Sequence, residues 1–444
     1  MSTLWIDVTS FIRWTRPPVG IIRVEQELIK WAISNLETVR FFEYDDLSRE
    51  FRSIDQPEVL SSIAHQSAGR ATPATGSPVV INNAHWLIRP RSSEIKRIIR
   101  DLARAYYRFF LIFINAAYHP RIHRLKTIFS SSQKTLLVHP FKENDRIFCA
   151  GTTWEYASIN DAINLIKKSV KLSYYGFCHD LAPIKFPHLC VVDGDHFSAY
   201  LSALSRSADH LFCISQSTEN DYKCFLQAMK IASPTTSIVT EGSEIYQGEI
   251  CLSQPLKSLI DSQYILFVST MERRKNHECI YKSILYLLEN GYENLPKFVF
   301  VGMRGWGLND LFSDFHLNPQ IKDRILILSE ISDGELSALY RHTLFTVYPS
   351  FYEGWGLPIA ESLNYGKMAI VSSTSSMPEV GGDLVDYVHP YDIIGWANRI
   401  GFYLDNRDEL AHRENRIRER YQMNSWHNFC EQVFQHLKEL PQCK

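Results

Sequence analysis

Five short apolar runs in the second half of the chain, set among stretches with helical spacing, constrain the fold more than any other feature. They are Tyr264–Thr270, Lys297–Gly302, Arg324–Ser329, Leu344–Ser350 and Met368–Ser373. Asp333–Tyr340 and the stretch that follows Asn276 are two of the helical segments. Apolar runs that alternate with helices give β-α-β units and a parallel sheet. Ligands of such sheets bind outside the carboxyl ends of the strands. The charged loop after Thr270 and the glycine loop after Ser350 both lie at that edge.

The second of these loops carries the densest chemistry. Phe351–Glu361 holds two carboxylates, Glu353 and Glu361, with Gly354, Gly356 and Pro358 between them. Pro358 suits the first turn of a helix that ends near Gly366. The segment therefore predicts a strand, a glycine loop and a helix. Gly354 and Gly356 let backbone N–H groups approach a ligand, and a helix N-terminus favours an anion. Glu353 in the loop and Glu361 one turn into the helix can face one crevice. That arrangement suits a phosphate flanked by two sets of sugar hydroxyls, as in a nucleotide sugar. The bland alternative is a common α/β turn with two surface glutamates.

The first half also reads as α/β, though less regularly. Leu4–Val8, Arg40–Tyr44, Pro78–Ile81, Arg146–Cys149, Leu172–Phe177 and His210–Ser215 are its candidate strands. A length of 444 residues allows two domains, each with its own core. Regular patterning lapses between Glu241 and Ser262, which is where the boundary is expected. Nine cysteines without a C-x-x-C pair argue against a zinc site or a disulfide framework. The opening residues carry an early acid and no long apolar core, so no signal peptide is expected. No apolar run approaches the length of a membrane span.

Taken together, these residues resemble the retaining glycosyltransferases of the large GT4 family, which have the GT-B fold of two facing Rossmann-like domains. Ser269–Asn276, ending Arg274-Lys275-Asn276, resembles the family's phosphate-gripping loop. Val301-Gly302 followed by Gly305-Trp306-Gly307, the stretch Ser332–Tyr340, and Pro349–Pro358 match its later segments. Glu353 to Glu361 is its E-x7-E signature, and Ser375–Gly381 completes the pattern. In the first half, Gly20–Val24 resembles the early glycine loop, and His179–Pro183 the family's His-Asp segment. Asn424–Trp426 resembles the start of a closing helix that crosses back to the first domain. The resemblance implies a first, acceptor-side domain over 1–245, a nucleotide-sugar domain over 246–410 and a returning tail over 411–444.

By the same resemblance, Arg274 and Lys275 grip the donor phosphates beside Thr270, and Glu361 accepts from the ribose hydroxyls. Glu353 faces the donor sugar, with backbone N–H groups near Trp355, Gly356 and Leu357 holding sugar or phosphate oxygens. His179 contacts the sugar near the anomeric carbon, while Gly20 lets the first loop approach the phosphates or sugar, with Arg23 assisting. Each has a plainer alternative: a solvated basic loop for the cations, a hydrogen-bonded core position for His179, and a helix-entry glycine for Gly20. The implied chemistry is metal-independent hexosyl transfer without a cofactor, from a nucleotide diphosphate sugar to a surface polysaccharide or lipid-linked oligosaccharide. The pattern Asp7-Val8-Thr9 followed by Gly20-Ile21-Ile22-Arg23-Val24 resembles O-antigen mannosyltransferases, which points to GDP-mannose. An epimerase or hydrolase of the same architecture, and a non-catalytic sugar-binding subunit, are the competing readings.

One stretch stands outside this pattern. Arg89–Lys126 holds ten Lys and Arg against Glu94 and Asp101, a local net of +8 in a chain of net −2. Arg97, Arg100, Arg104 and Arg108 form one helical stripe, and apolar residues from Ile95 to Phe113 another. A basic amphipathic helix suits an anionic membrane surface, and packing on the sheet explains it equally. No nucleic-acid-binding module accompanies it. The expected compartment is the cytosol, with the inner face of the membrane as the surface this stretch could touch.

Overall fold

The computed structural model describes residues 2–16, 18–71, 79–80, 137–245 and 252–440. Its strands, in chain order, are β1 Leu4–Asp7, β2 Val39–Asp45, β3 Glu50–Ile54, β4 Val79–Val80, β5 Arg146–Cys149, β6 Ser173–Cys178 and β7 His210–Cys213. There follow β8 Thr235–Ile238, β9 Tyr264–Val268, β10 Lys297–Val301, β11 Ile325–Ser329, β12 Thr346–Tyr348, β13 Ala369–Ser372 and β14 Asp386–Val388. They form two sheets, ordered β3-β2-β1-β5-β6-β7-β8 and β14-β13-β12-β9-β10-β11-β4. Every pairing is parallel except β2 with β3 and β4 with β11.

Both sheets are buried because helices cover their faces, which is why β6, β7 and β13 are inaccessible along their whole length. The strands expected from apolar runs are present, each within a residue or two of its expected span. Two differences are instructive. Val79–Val80 was expected in the first half's sheet, but it pairs antiparallel with β11 at the edge of the second. The strands β3, β8 and β14 were not expected, since EFRSI, TTSI and DYV contain no apolar run. The basic stretch Arg89–Lys126, with Arg97, Arg100, Arg104 and Arg108, lies outside the described residues. Among the described residues, no helix is long and apolar enough to cross a membrane.

The chain order creates a topological switch point in each sheet. In the first, β1 is flanked by β2 on one side and β5 on the other; in the second, β9 lies between β12 and β10. Loops diverge at such points and leave a crevice at the carboxyl edge. Leu410 and Ile417, on the Arg407–Arg420 helix, pack into the second core. Trp426, Phe429, Val433 and Phe434, on the Trp426–Glu439 helix, join the first core instead. The stretch 421–425 therefore carries the chain back across, beside the outgoing segment 240–245. Asn424 Nδ2 donates to the Thr240 carbonyl at 2.6 Å, and Ser243 N to the Asn424 carbonyl at 3.1 Å.

Glu241 sits in this double crossing with 5% of its surface exposed, and burial alone pushes its carboxyl up to about 8. The folded protein thus holds a proton that the unfolded chain releases near the usual carboxyl value of 4.5. Stability contributed here is present below that value and is lost as pH rises towards 8. Glu241→Gln, which cannot ionise, should raise the thermal midpoint by several degrees at pH 8 and much less at pH 5. Parallel pH profiles for variant and wild type would show that this carboxyl does not titrate in that window.

Candidate nucleotide-sugar site

The cations of the loop after β9 meet a carboxylate of the loop after β12, because β9 and β12 are neighbours at the switch point of the second sheet. Arg274 Nη1 donates to Glu353 Oε2 at 2.9 Å, and Lys275 Nζ donates to Glu353 Oε1 at 2.8 Å. Tyr348 OH donates to Glu353 Oε1 at 3.0 Å, and the other arm of Arg274 reaches Glu272 Oε1 at 2.8 Å. All four charged side chains are at least 85% covered. Burial pushes the Glu353 carboxyl up, but Arg274 and Lys275 more than reverse this and hold it at about 2. Burial opposes the charge on Arg274, and Glu353 and Glu272 together outweigh it and raise the guanidinium well above its usual value. The cluster brings together two cations and two carboxylates, and burial raises the Glu272 carboxyl while Arg274 and Lys275 partly offset this.

Its scaffold is hydrogen-bonded from both sides. Asn276, in the left-handed region at φ 61°, closes the cation loop and donates Nδ2 to the Pro349 and Pro390 carbonyls at 3.1 and 2.8 Å. Ser375 Oγ accepts from Glu353 N at 2.9 Å. Neither tie was read from the sequence beforehand. The Asn276 side chain was the available signal, since an amide at a strand-to-helix junction can fix two loops at once.

Glu361 lies in the helix Leu357–Asn364, which Pro358 starts as expected. It is 7% exposed and accepts from Tyr340 OH at 2.9 Å. Burial raises its carboxyl, and Arg23 and Tyr340 partly offset this. Arg23 comes from the first domain. Its guanidinium lies 5.3 Å from the Trp426 ring centroid and donates to the Glu244 carbonyl, so it is held on the crossing segment and acts on Glu361 through its charge. Gly20 caps the Ile21–Asn35 helix at φ 52°, and a side chain there would meet nothing within 4 Å. The loop is thus open at Gly20, with a backbone that disfavours other residues.

Gly354 carries a packing constraint besides the expected one. A Cβ at this position would lie 2.0 Å from the His179 carbonyl and 2.9 Å from Ile214 Cδ1. The missing side chain lets the two domains touch. Gly356, at φ 121°, makes the turn that starts the helix. Trp355 and Leu357 pack against the core of the first sheet, so any ligand contact from this stretch is made by the backbone or by the edge of the indole. Thr270 is half-buried at the end of the β9 edge.

His179 follows β6 and is 4% exposed. Its Nε2 lies 2.8 Å from the Ala150 carbonyl, which can only accept, so Nε2 carries the proton. Burial lowers its pKa to about 4, leaving a neutral ring at pH 7. Its Nδ1 is buried without a partner, as is the indole Nε1 of Trp355. Asp180 caps the following turn through Ala182 N at 2.9 Å. Among the described residues, no group of three His, Cys, Asp or Glu side chains is placed to hold a metal ion.

The quartet carries a stability prediction. Removing one partner of a buried pair leaves the other charge uncompensated and costs about 3–5 kcal/mol. Arg274→Ala should destabilise the ligand-free protein by about that amount, and Glu353→Gln added to it should restore part of the loss. Additive losses in denaturant unfolding of the single and double variants would show that the two residues do not interact.

Residues 253–421 match the family model described as glycosyl transferases group 1. The chain is 27% identical over 197 residues to the serotype-specific mannosyltransferase WbdA of Escherichia coli, which covers 41% of this chain and 24% of that protein. It is 34% identical over 130 residues to O-antigen chain mannosyltransferase B of Escherichia coli, over 29% of this chain and 34% of that one. The chain therefore spans about a quarter to a third of the length of these curated relatives. Sucrose-phosphate synthase from Thermosynechococcus elongatus superposes at a TM-score of 0.58 over 99% of both chains at 14% identity. HepE of Anabaena in complex with UDP-glucose superposes at 0.56 over 99% of this chain and 100% of that one, at 13% identity. These likenesses show the fold, two parallel-sheet α/β domains of GT-B type, and the family match assigns residues 253–421 to the glycosyl transferases group 1 family.

Proposed function

We propose that this protein transfers a hexosyl unit from a nucleoside diphosphate sugar to a saccharide acceptor, with retention at the anomeric carbon. The observation that carries the reading is the pair Arg274 and Lys275. Both are fixed at a switch point, beside a helix N-terminus and in contact with Glu353. As the glycosidic bond breaks, the leaving diphosphate gains charge, and fixed cations with backbone donors lower that barrier. The chain's own cations supply this stabilisation without a metal or cofactor.

Glu353 is a poor candidate for a nucleophile, because both its oxygens accept from cations and its pKa is about 2. A front-face reaction fits better, with the leaving phosphate taking the acceptor proton. His179 is neutral at working pH, and its Nδ1 is suited to accept from a sugar hydroxyl rather than to donate a proton. Trp355 Nε1 supplies a donor on the opposing domain. Glu361, with Arg23 alongside, suits ribose hydroxyls. The mannosyltransferase relatives favour GDP-mannose as donor and an O-antigen-type or lipid-linked oligosaccharide as acceptor. A role at the cytosolic membrane surface belongs to the same reading.

Screening GDP-, UDP-, dTDP- and ADP-sugars for binding, then for transfer, tests it; a protein that binds none of them is not this enzyme. Lys275→Ala should lower turnover by about 10²-fold, and wild-type rates from folded variant would remove the cation loop from the mechanism.

The two glutamates should separate by calorimetry. Glu361→Ala should weaken binding of the sugar-free diphosphate and of the intact donor alike, because its proposed contact is to ribose. Glu353→Gln should leave diphosphate binding unchanged or tighter, because it frees both cations from their carboxylate partner, while transfer falls. Equal losses of diphosphate affinity in both variants would mean the roles are wrongly divided.

A further inference from the structure

The crevice does not end at Glu353. A cavity of about 350 Å³ opens at the carboxyl ends of β12, β13 and β14, bounded across the crevice by Phe186 and Ser217 of the first domain. A second, shallower cavity of about 590 Å³ runs out over the Ile393–Asp405 helix. His389 lines both, so the two adjoin at that side chain and mark out a track. The track begins next to the reaction centre: its wall includes Tyr352 and Ser375, whose carbonyl and hydroxyl bond Arg274 and the Glu353 backbone.

Its lining alternates aromatic faces with hydrogen-bonding side chains. Phe351 and Tyr391 lie 4.8 Å apart, centroid to centroid, and Tyr391 is 64% exposed. Farther out, Asn398 is exposed and Phe402 is 40% exposed. The cations along the track have partners: Lys185 bonds Asp221 at 2.6 Å, and Arg399 bonds Asp386 at 3.0 Å, a carboxylate it shares with Arg413, and lies 5.6 Å from the Phe402 ring centroid. Asp392 adds a further carboxylate to the lining. Aromatic rings cover the apolar C–H faces of sugars, and planar polar groups satisfy their hydroxyls. One rim is also tied across the two domains. The Glu379 carboxylate accepts from Gln216 N and Ser217 N, each at 2.7 Å, and so fastens the second domain to the N-terminus of the Gln216–Met229 helix.

We infer that this track binds the acceptor as a neutral oligosaccharide chain, its terminal sugar against Phe351 and Tyr391 beside Glu353 and its next units passing His389 towards Asn398 and Phe402. The word acceptor rests on the transferase reading; the saccharide site itself does not.

The experiment titrates mannotriose, maltotriose and cellotriose, without donor, into wild type, Tyr391→Ala and Phe402→Ala. UDP and GDP are titrated into each as a control for folding. At least one trisaccharide should saturate the wild type. Tyr391→Ala should weaken it about tenfold and Phe402→Ala less, with nucleotide affinity unchanged. Failure of all three sugars to bind, or equal affinity in Tyr391→Ala, overturns the inference. Trisaccharide binding lost with Tyr391, in a protein that binds no nucleotide sugar, would support the track and sink the transferase reading alone.

Discussion

The burial of Glu353 between Arg274 and Lys275 is the constraint on which the rest of the site depends. Four charged side chains in a nearly dry crevice are tolerable only because each is paired at 2.8–2.9 Å. Holding them there requires two loops separated by about 80 residues of chain to meet, and the β12-β9 adjacency in the sheet brings them together. Under the proposed function, a donor phosphate would replace one carboxylate as the cations' partner and keep the charges paired.

The domain contacts are arranged around this cluster. Gly354, next to Glu353, packs against the His179 carbonyl, so the loop that carries the carboxylate is also an interdomain contact. Arg273 reaches the His188 carbonyl at 3.4 Å, Tyr352 OH reaches Asp221 at 2.9 Å, and Glu379 caps a helix of the opposite domain. Trp355 and Leu357 add apolar contact across the same seam, packing against the core of the first sheet.

Much of this was legible in the sequence, and the exceptions share a cause. The long apolar strands, the Pro358 helix start and the placing of cation loop and glycine loop at one sheet edge follow from local patterning and the rule for parallel sheets, whereas the ion pairs between those loops were not read. The strands β3, β8 and β14 were not legible, because short segments such as TTSI become strands only when a neighbour supplies the ladder. The packing of Gly354 against His179, a residue 175 positions away, was not legible either. The pairing of Val79–Val80 with β11 and the buried carboxyl of Glu241 are likewise tertiary facts. Sequence shows which residue types are present at a loop; it does not show which distant backbone they approach.

The central claim is that the donor's phosphates take Arg274 and Lys275 as their partners. Calorimetric titration of UDP and GDP into the Arg274→Gln/Lys275→Gln double variant tests it most directly, because glutamine keeps much of the bulk and removes only the charge. The account predicts that whichever nucleotide binds wild type loses about 10²-fold or more in affinity, with a weaker salt dependence. Undiminished affinity in a folded double variant would contradict it.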